Sequence, residues 1–367
     1  MGSKFHKKKK LNTIKEIKYE NKIPTTCKLI GNRIITKKQK MYGIINYIYP
    51  SKIDNKEIIL ILYGYGIYAN GELEIFDSKT FEILSEKGFS TKLYDGYYHR
   101  IIEIKNGEFL ISSNEKIQKF TLIKDNIKNK IKITNIKNFL FNYEQNNWIS
   151  QMIKLENENI VILNKTHYLK LISLNKSNSE EKNTYRETTI DLPDPDIEHY
   201  DIISMNNDII VFINSIYLNI FSLENKQIVT RFELIINEDT DDIVRKISDD
   251  MIFFAGVNNL YFISITKGII VKHIKIPDIY CIVGLGDLSD NNLLCAAMKF
   301  DKHYFTFDFF QFKYIFEEND EKKEKELKVN INSVYKFHES VDENVYIKEL
   351  EDKRIILGTE ETIYFFE

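Results

Sequence analysis

The chain has 367 residues, 43% of them hydrophobic and 13% aromatic, with a formal net charge of −3. That apolar content excludes disorder over most of the length, and the near-neutral balance excludes a globally basic nucleic-acid binder. No apolar run approaches the roughly 18–20 residues of a membrane-spanning helix, and the Lys-rich start lacks a secretory h-region, so the expected setting is intracellular, cytoplasmic or nuclear.

Residues 1–12 read as a basic, flexible tail, with Lys7, Lys8, Lys9 and Lys10 as the candidate basic contact. Gly2 followed by a polybasic cluster invites a lipid-anchor reading, but His6 stands where the acylation motif needs Ser or Thr. The tail is the one feature through which membrane or nucleic acid would be met.

From residue 13 the pattern is β nearly throughout. Thr13–Tyr19 (TIKEIKY) reads as an early strand able to complete a later sheet. Then short runs rich in Ile, Tyr, Phe, Val and Leu alternate with Asn/Asp turns. The stretch Leu73–Asp77 (LEIFD) recurs down the chain. Aligned on Asp77, its equivalents are Thr121, Ser173, Ser222, Ser264, Asp308 and Glu367, at spacings of 44, 52, 49, 42, 44 and 59. Each copy follows a polar turn, an apolar strand and a second turn. An "a" strand such as Arg100–Ile104 precedes the hairpin, and a "d" strand such as Gly268–Ile276 follows most copies. Glu317–Lys328 is almost wholly charged and reads as a solvated loop or frayed helix.

Four antiparallel strands every 40–60 residues predict a β-propeller, because a ring of sheets buries each face on its neighbour. The expectation is an all-β, seven-bladed propeller over residues 13–367, with eight blades as the alternative. The first blade is the least regular part of the pattern. The last copy ends at Glu367 without a "d" strand, so an N-terminal strand is expected to close the ring and remove an edge.

The aromatic-then-Asp pairs Phe76-Asp77 and Phe307-Asp308 resemble the Trp-Asp dipeptide of WD40 repeats. The Gly-His dipeptide of that family is absent, and the single tryptophan, Trp148, lies outside the column. The resemblance implies a WD40-like propeller acting as an interaction platform. On that analogy the chain is expected to be a non-enzymatic scaffold, or a subunit of a larger assembly, with other proteins as partners.

Chemistry-bearing candidates are sparse. Cys27, Cys281 and Cys295 form no CxxC pair, so no zinc site and no cofactor is expected. Asp194-Pro195-Asp196 with Glu198 and His199, and the run Glu238–Asp242, read as loops rather than metal sites. The seven histidines fall in different repeats, with His167 and His303 just before their third strands. Gly284-Leu285-Gly286 lacks the third glycine of a dinucleotide loop. The alternative function is an enzyme or small-ligand binder using the ring's axial channel, which would require side chains from several blades to converge.

Overall fold

The computed structural model describes residues 35–40, 44–64, 71–85, 98–113, 117–125, 130–139, 149–164, 168–174, 185–192, 199–234, 243–276, 278–301, 304–319, 324–337, 345–359 and 362–366. They form an all-β protein of seven antiparallel sheets, six ordered in sequence from one edge to the other and the seventh joining the first strand to the last three. This is the seven-bladed propeller.

The first strand, β1 (Ile35–Lys40), belongs to the last sheet. Blade 1 holds β2 (Ile44–Ile53), β3 (Lys56–Gly64) and β4 (Gly71–Asp77), with its fourth strand reduced to a bridge between Phe76 and Ile83. Blade 2 holds β5 (Tyr98–Lys105), β6 (Glu108–Ser113), β7 (Ile117–Asp125) and β8 (Lys130–Phe139). Blade 3 holds β9 (Ile149–Lys154), β10 (Ile160–Asn164), β11 (Tyr168–Leu174) and β12 (Tyr185–Asp191). Blade 4 holds β13 (His199–Ser204), β14 (Ile209–Asn214), β15 (Tyr217–Ser222) and β16 (Gln227–Glu233). Blade 5 holds β17 (Val244–Lys246), β18 (Met251–Ala255), β19 (Asn259–Ser264) and β20 (Ile269–Lys275). Blade 6 holds β21 (Cys281–Leu288), β22 (Asn292–Asp301), β23 (Tyr304–Asn319) and β24 (Glu324–Phe337). Blade 7 holds β25 (Val345–Glu349), β26 (Ile355–Thr359) and β27 (Thr362–Phe366), completed by β1.

The burial of each strand follows from its place in the blade. Second strands β10, β18 and β26 are buried along their whole length, because each is covered on both faces by neighbouring blades. Such strands need continuous apolar runs rather than alternation, which IVILN and MIFFA supply. The outer strands β16 and β20 are mostly half-buried or exposed and carry polar residues. Blades are glued by shared cores: Phe253, Phe254 and Phe262 of blade 5 join Val211 of blade 4 and Phe310 of blade 6 in one cluster.

Two glycines let blades 6 and 7 approach. A Cβ on Gly284 would lie 2.2 Å from the Val345 carbonyl oxygen, and one on Gly286 would lie 2.3 Å from Ile347 Cγ2. The Gly-Leu-Gly run is therefore a packing device on β21.

The ring is closed by an N-terminal strand as expected: β1, Ile35–Lys40, pairs antiparallel with β27; Thr13–Tyr19, the stretch read as able to supply it, lies outside the described residues. Two other expectations are corrected. Glu317–Lys328 is neither loop nor helix over its described ends: β23 reaches Asn319, β24 starts at Glu324, and the two pair antiparallel, with Glu317 opposite Glu326 and Ile315 opposite Lys328. The hairpin persists because Phe312, Tyr314, Leu327 and Val329 along it bury their rings and methyls in the same core as blade 5.

The second correction concerns register. In blades 1, 2, 4 and 5 the residue after the aligned position donates its N–H to a carbonyl at or just before the start of the second strand: Ser78 to Glu57, Leu122 to Gly107, Leu223 to Asp208 and Ile265 to Asp250. In blade 6 that bond is Tyr314 N to Asn291 O at 3.0 Å. The equivalent of Asp77, Thr121, Ser222 and Ser264 is therefore Lys313, five residues beyond Asp308. Asp308 lies inside β23 opposite Ala297 and is paired with Lys299. The last two spacings become 49 and 54 and fit the repeat better. Ser173 holds the third-strand position in blade 3, opposite Arg186, and Glu367 falls just past β27, outside the described residues.

Candidate functional site

The aligned column itself is structural. Ser222 Oγ donates to Asp208 Oδ1 at 3.0 Å, and Ser264 Oγ donates to Asp250 Oδ2 at 2.8 Å. Asp208 and Asp250 also accept the N–H groups of Glu224 and Thr266, each at 2.7 Å. Asp77 performs the task in one residue: its Oδ1 accepts from Lys79 N and Thr80 N, and it pairs with Lys56. Burial would raise its carboxyl, but Lys56 and the two N–H groups outweigh that and hold it below the ordinary value. The Asp208 and Asp250 contacts tie the turn after the third strand to the turn before the second, and the pair with Lys56 ties Asp77 to the start of β3.

These turns share one face of the ring, and the first strands of the blades all end on it. Neighbouring first strands touch around the axis: β2 with β5, β5 with β9, β9 with β13, β13 with β17, β21 with β25, and β25 with β2. Their last residues occupy equivalent places. Backbone bonds from Leu155 N to Asn159 O, Met205 N to Ile209 O, Ile247 N to Met251 O and Leu350 N to Arg354 O mark the turns that follow. The residues just before them are Lys154, Ser204, Lys246 and Glu349; Glu103 and Asp287 hold the place in blades 2 and 6.

Each blade is tied to the next near this mouth. Ser51 Oγ donates to Glu103 Oε2 at 2.7 Å, and Lys154 Nζ donates to Ile104 O at 2.6 Å. Asn157 N donates to Asn207 Oδ1 at 2.7 Å, and Lys246 Nζ to Met205 O at 2.6 Å. Arg245 reaches Leu285 O at 2.8 Å and Asp287 at 3.3 Å. Ser289 N and Oγ donate to the two oxygens of Glu349 at 2.6 and 3.1 Å. Lys52 pairs with Glu351, whose N–H donates to Glu57 Oε1 at 2.9 Å. The seven ties form a closed circle.

Inside the circle lies an open cleft of about 770 Å³, walled by blades 7, 1, 2 and 3. Glu349 and Lys154 both line it, from blades on opposite sides of the ring, so the cleft crosses the axis. Tyr49 forms one aromatic wall, edge-on to Phe109 with ring centroids 6.4 Å apart. Burial, followed by the charge of Glu103, pushes the Tyr49 phenol up to about 12, so it stays protonated at neutral pH. Glu103 supplies a carboxylate fixed from two sides, by Ser51 and by Gly107 N at 3.1 Å. Deeper in, Arg100 stacks over the Tyr47 ring at 4.5 Å and donates through Nε to Gln151, joining blades 1, 2 and 3.

The sequence reading named none of these cleft residues as a site. Lys7, Lys8, Lys9, Lys10, His6, Trp148, His167, His303, His338, Cys27, Asp194, Asp196 and the run 238–242 lie outside the described residues. His273 stacks on Tyr261 in blade 5 and contacts Asn259 Oδ1 at 2.8 Å, away from the cleft. Cys281 and Cys295 are buried free thiols, and burial pushes the Cys295 thiol up, leaving it unreactive. Among the described residues no cluster of three metal-ligating side chains occurs, and no helix is long and apolar enough to cross a membrane.

No family model matches the chain, and no curated protein matches it in sequence. The fold is widely shared, with 744 matching chains among solved structures, so it selects no activity by itself. One of them is described as "Streptogramin B lyase structure". It is similar with a TM-score of 0.60 and 11% identity, over 90% of this chain and 96% of that one. At that identity the likeness carries the fold. The expectation of a non-enzymatic scaffold, drawn from the WD40-like column, is corrected by it: the architecture is shared with a lyase, and no WD40 family model matches.

Proposed function

We propose that the protein is a small-ligand propeller whose axial cleft, at the first-strand ends of blades 7, 1, 2 and 3, binds a small polar molecule. One observation carries this reading: side chains from four blades converge on one open, polar space across the axis. Concave sites with a few fixed polar groups beside an aromatic wall are where proteins take small ligands. Here Glu103, Glu349 and Lys154 are held by ties to neighbouring blades, so little side-chain freedom is lost when a ligand arrives. Sharing an architecture with a lyase is consistent with chemistry at such a site and leaves the reaction unassigned.

The test is a ligand-observed NMR screen of a polar fragment library against the full chain, repeated on Glu103→Arg. Hits that disappear in the variant support the cleft. Hits unaffected by Glu103→Arg, or none at all, overturn it.

A further inference from the structure

Fixed acceptors and donors stand side by side on one wall of the cleft. Tyr49 and Ser51 lie two residues apart on β2 and so share a face. Ser51 Oγ holds one oxygen of Glu103, and Gly107 N holds the other. At the next residue of β5, the Ile104 carbonyl accepts a hydrogen from Lys154 Nζ at 2.6 Å. A carboxylate and an ammonium group are thus anchored at neighbouring residues of one strand, and Tyr49, Glu103 and Lys154 all line the cleft. Both head groups keep bonding capacity: each Glu103 oxygen has a second lone pair, and Lys154 has hydrogens beyond the one on Ile104 O.

The lining as a whole mixes the two signs evenly, with four lysines and four glutamates. Part of that charge is cancelled within the wall, as in the pair of Lys52 with Glu351. An ion of either sign entering the cleft meets as many like charges as opposite ones. A hydroxyl group, by contrast, is neutral and both donates and accepts. Hydroxyls on adjacent carbons can give a hydrogen to Glu103 through one and accept a hydrogen from Lys154 through the other.

We infer that the ligand is a neutral sugar, read through two adjacent hydroxyls by Glu103 and Lys154, with the C–H face of its ring against Tyr49. The inference rests on the cleft being the ligand site, and it adds the class of molecule.

The experiment is isothermal titration of the full chain with a panel of neutral mono- and disaccharides, followed by the deoxy analogues of the best binder, each lacking one hydroxyl. At least one sugar is expected to bind, and two adjacent deoxy analogues to bind about tenfold more weakly, the loss of a hydrogen bond to a charged group. Raising sodium chloride from about 0.05 to about 0.5 M should change the sugar's affinity less than about twofold, because a neutral ligand has no net charge to be screened. Glu103→Ala should weaken the sugar but not the analogue lacking the hydroxyl that meets Glu103, and Lys154→Met should spare the adjacent analogue in the same way. The analogues on the unaltered protein decide the matter even where a variant fails to fold. Deoxy analogues that all bind as well as the sugar overturn the inference. So does a panel without binders when other fragments still occupy the cleft, an outcome that leaves the cleft itself standing. Fragments bound only elsewhere, or not at all, remove both readings.

Discussion

Ser51 Oγ donates to Glu103 Oε2 across the seam between blades 1 and 2, at 2.7 Å. Ser51 is buried and Glu103 half-buried, so the bond orients a carboxylate that still faces the cleft. Ser51→Ala should remove that orientation while leaving the charge. The expected outcome is a several-fold loss of ligand affinity with a loss of about 1.5 kcal/mol in unfolding free energy, the low end for a hydrogen bond to a charged group. Calorimetry and urea titration read the two effects separately.

Blade 6 depends on the absence of a side chain at Gly284. An added methyl would press on the Val345 backbone oxygen, which cannot rotate away. Gly284→Ala is expected to cost about 3 kcal/mol or more, as overpacking at a close backbone contact does. Chemical denaturation measures it, and an unchanged midpoint would mean that blades 6 and 7 are not this close.

Blade 7 is clasped to blade 1 by Arg354, whose guanidinium donates to Ser78 O and Lys79 O, pairs with Asp352 and lies 4.8 Å over the Phe81 ring. A lysine cannot reproduce that planar fork. Arg354→Lys should cost about 1–3 kcal/mol, read in the same assay.

Removing residues 1–40 deletes β1 and leaves β27 an open edge. The expected result is a lower melting temperature and concentration-dependent association, since an unpaired strand edge recruits other chains. Light scattering and a thermal melt test it, against a 1–12 truncation that keeps β1.

Acid should destabilise the ring through the turn carboxylates. Burial would raise Asp250, but the Thr266 hydroxyl and N–H and the Ser264 hydroxyl hold it below its ordinary value. Asp352 is held low first by its bond to Arg354, and Asp77 by Lys56 and two N–H groups. The unfolded chain, with Asp near ~3.9, takes up protons first. This stability is therefore complete above about pH 5 and is lost as pH falls through 3.9 toward the lower folded values. Asp250→Asn should flatten that decline in a pH series of urea midpoints.

The third strands were legible because they are buried on both faces and carry near-continuous apolar runs with aromatics, as in YLNIFS and NLYFIS. Blade 6 misled because YFTFDFFQFKYIF is apolar at nearly every other place, so the run fixes no unique phase; only the bond from Tyr314 to Asn291 does. The closing strand ITKKQK was illegible for the opposite reason: an edge strand needs few apolar residues. Glu103, Lys154 and Glu349 look like ordinary turn-flanking charges and lie 51 and 195 residues apart along the chain. Only closure of the ring brings them to one cleft. The equivalence of strand ends across repeats was the available signal.

The central claim is that the axial cleft is the ligand site. The most direct measurement is a crystal structure of the full chain soaked with the strongest-binding polar fragment. The account predicts ligand density in the cleft beside Tyr49, Glu103 and Lys154. Density confined to another part of the molecule, with this cleft holding solvent alone, would contradict it.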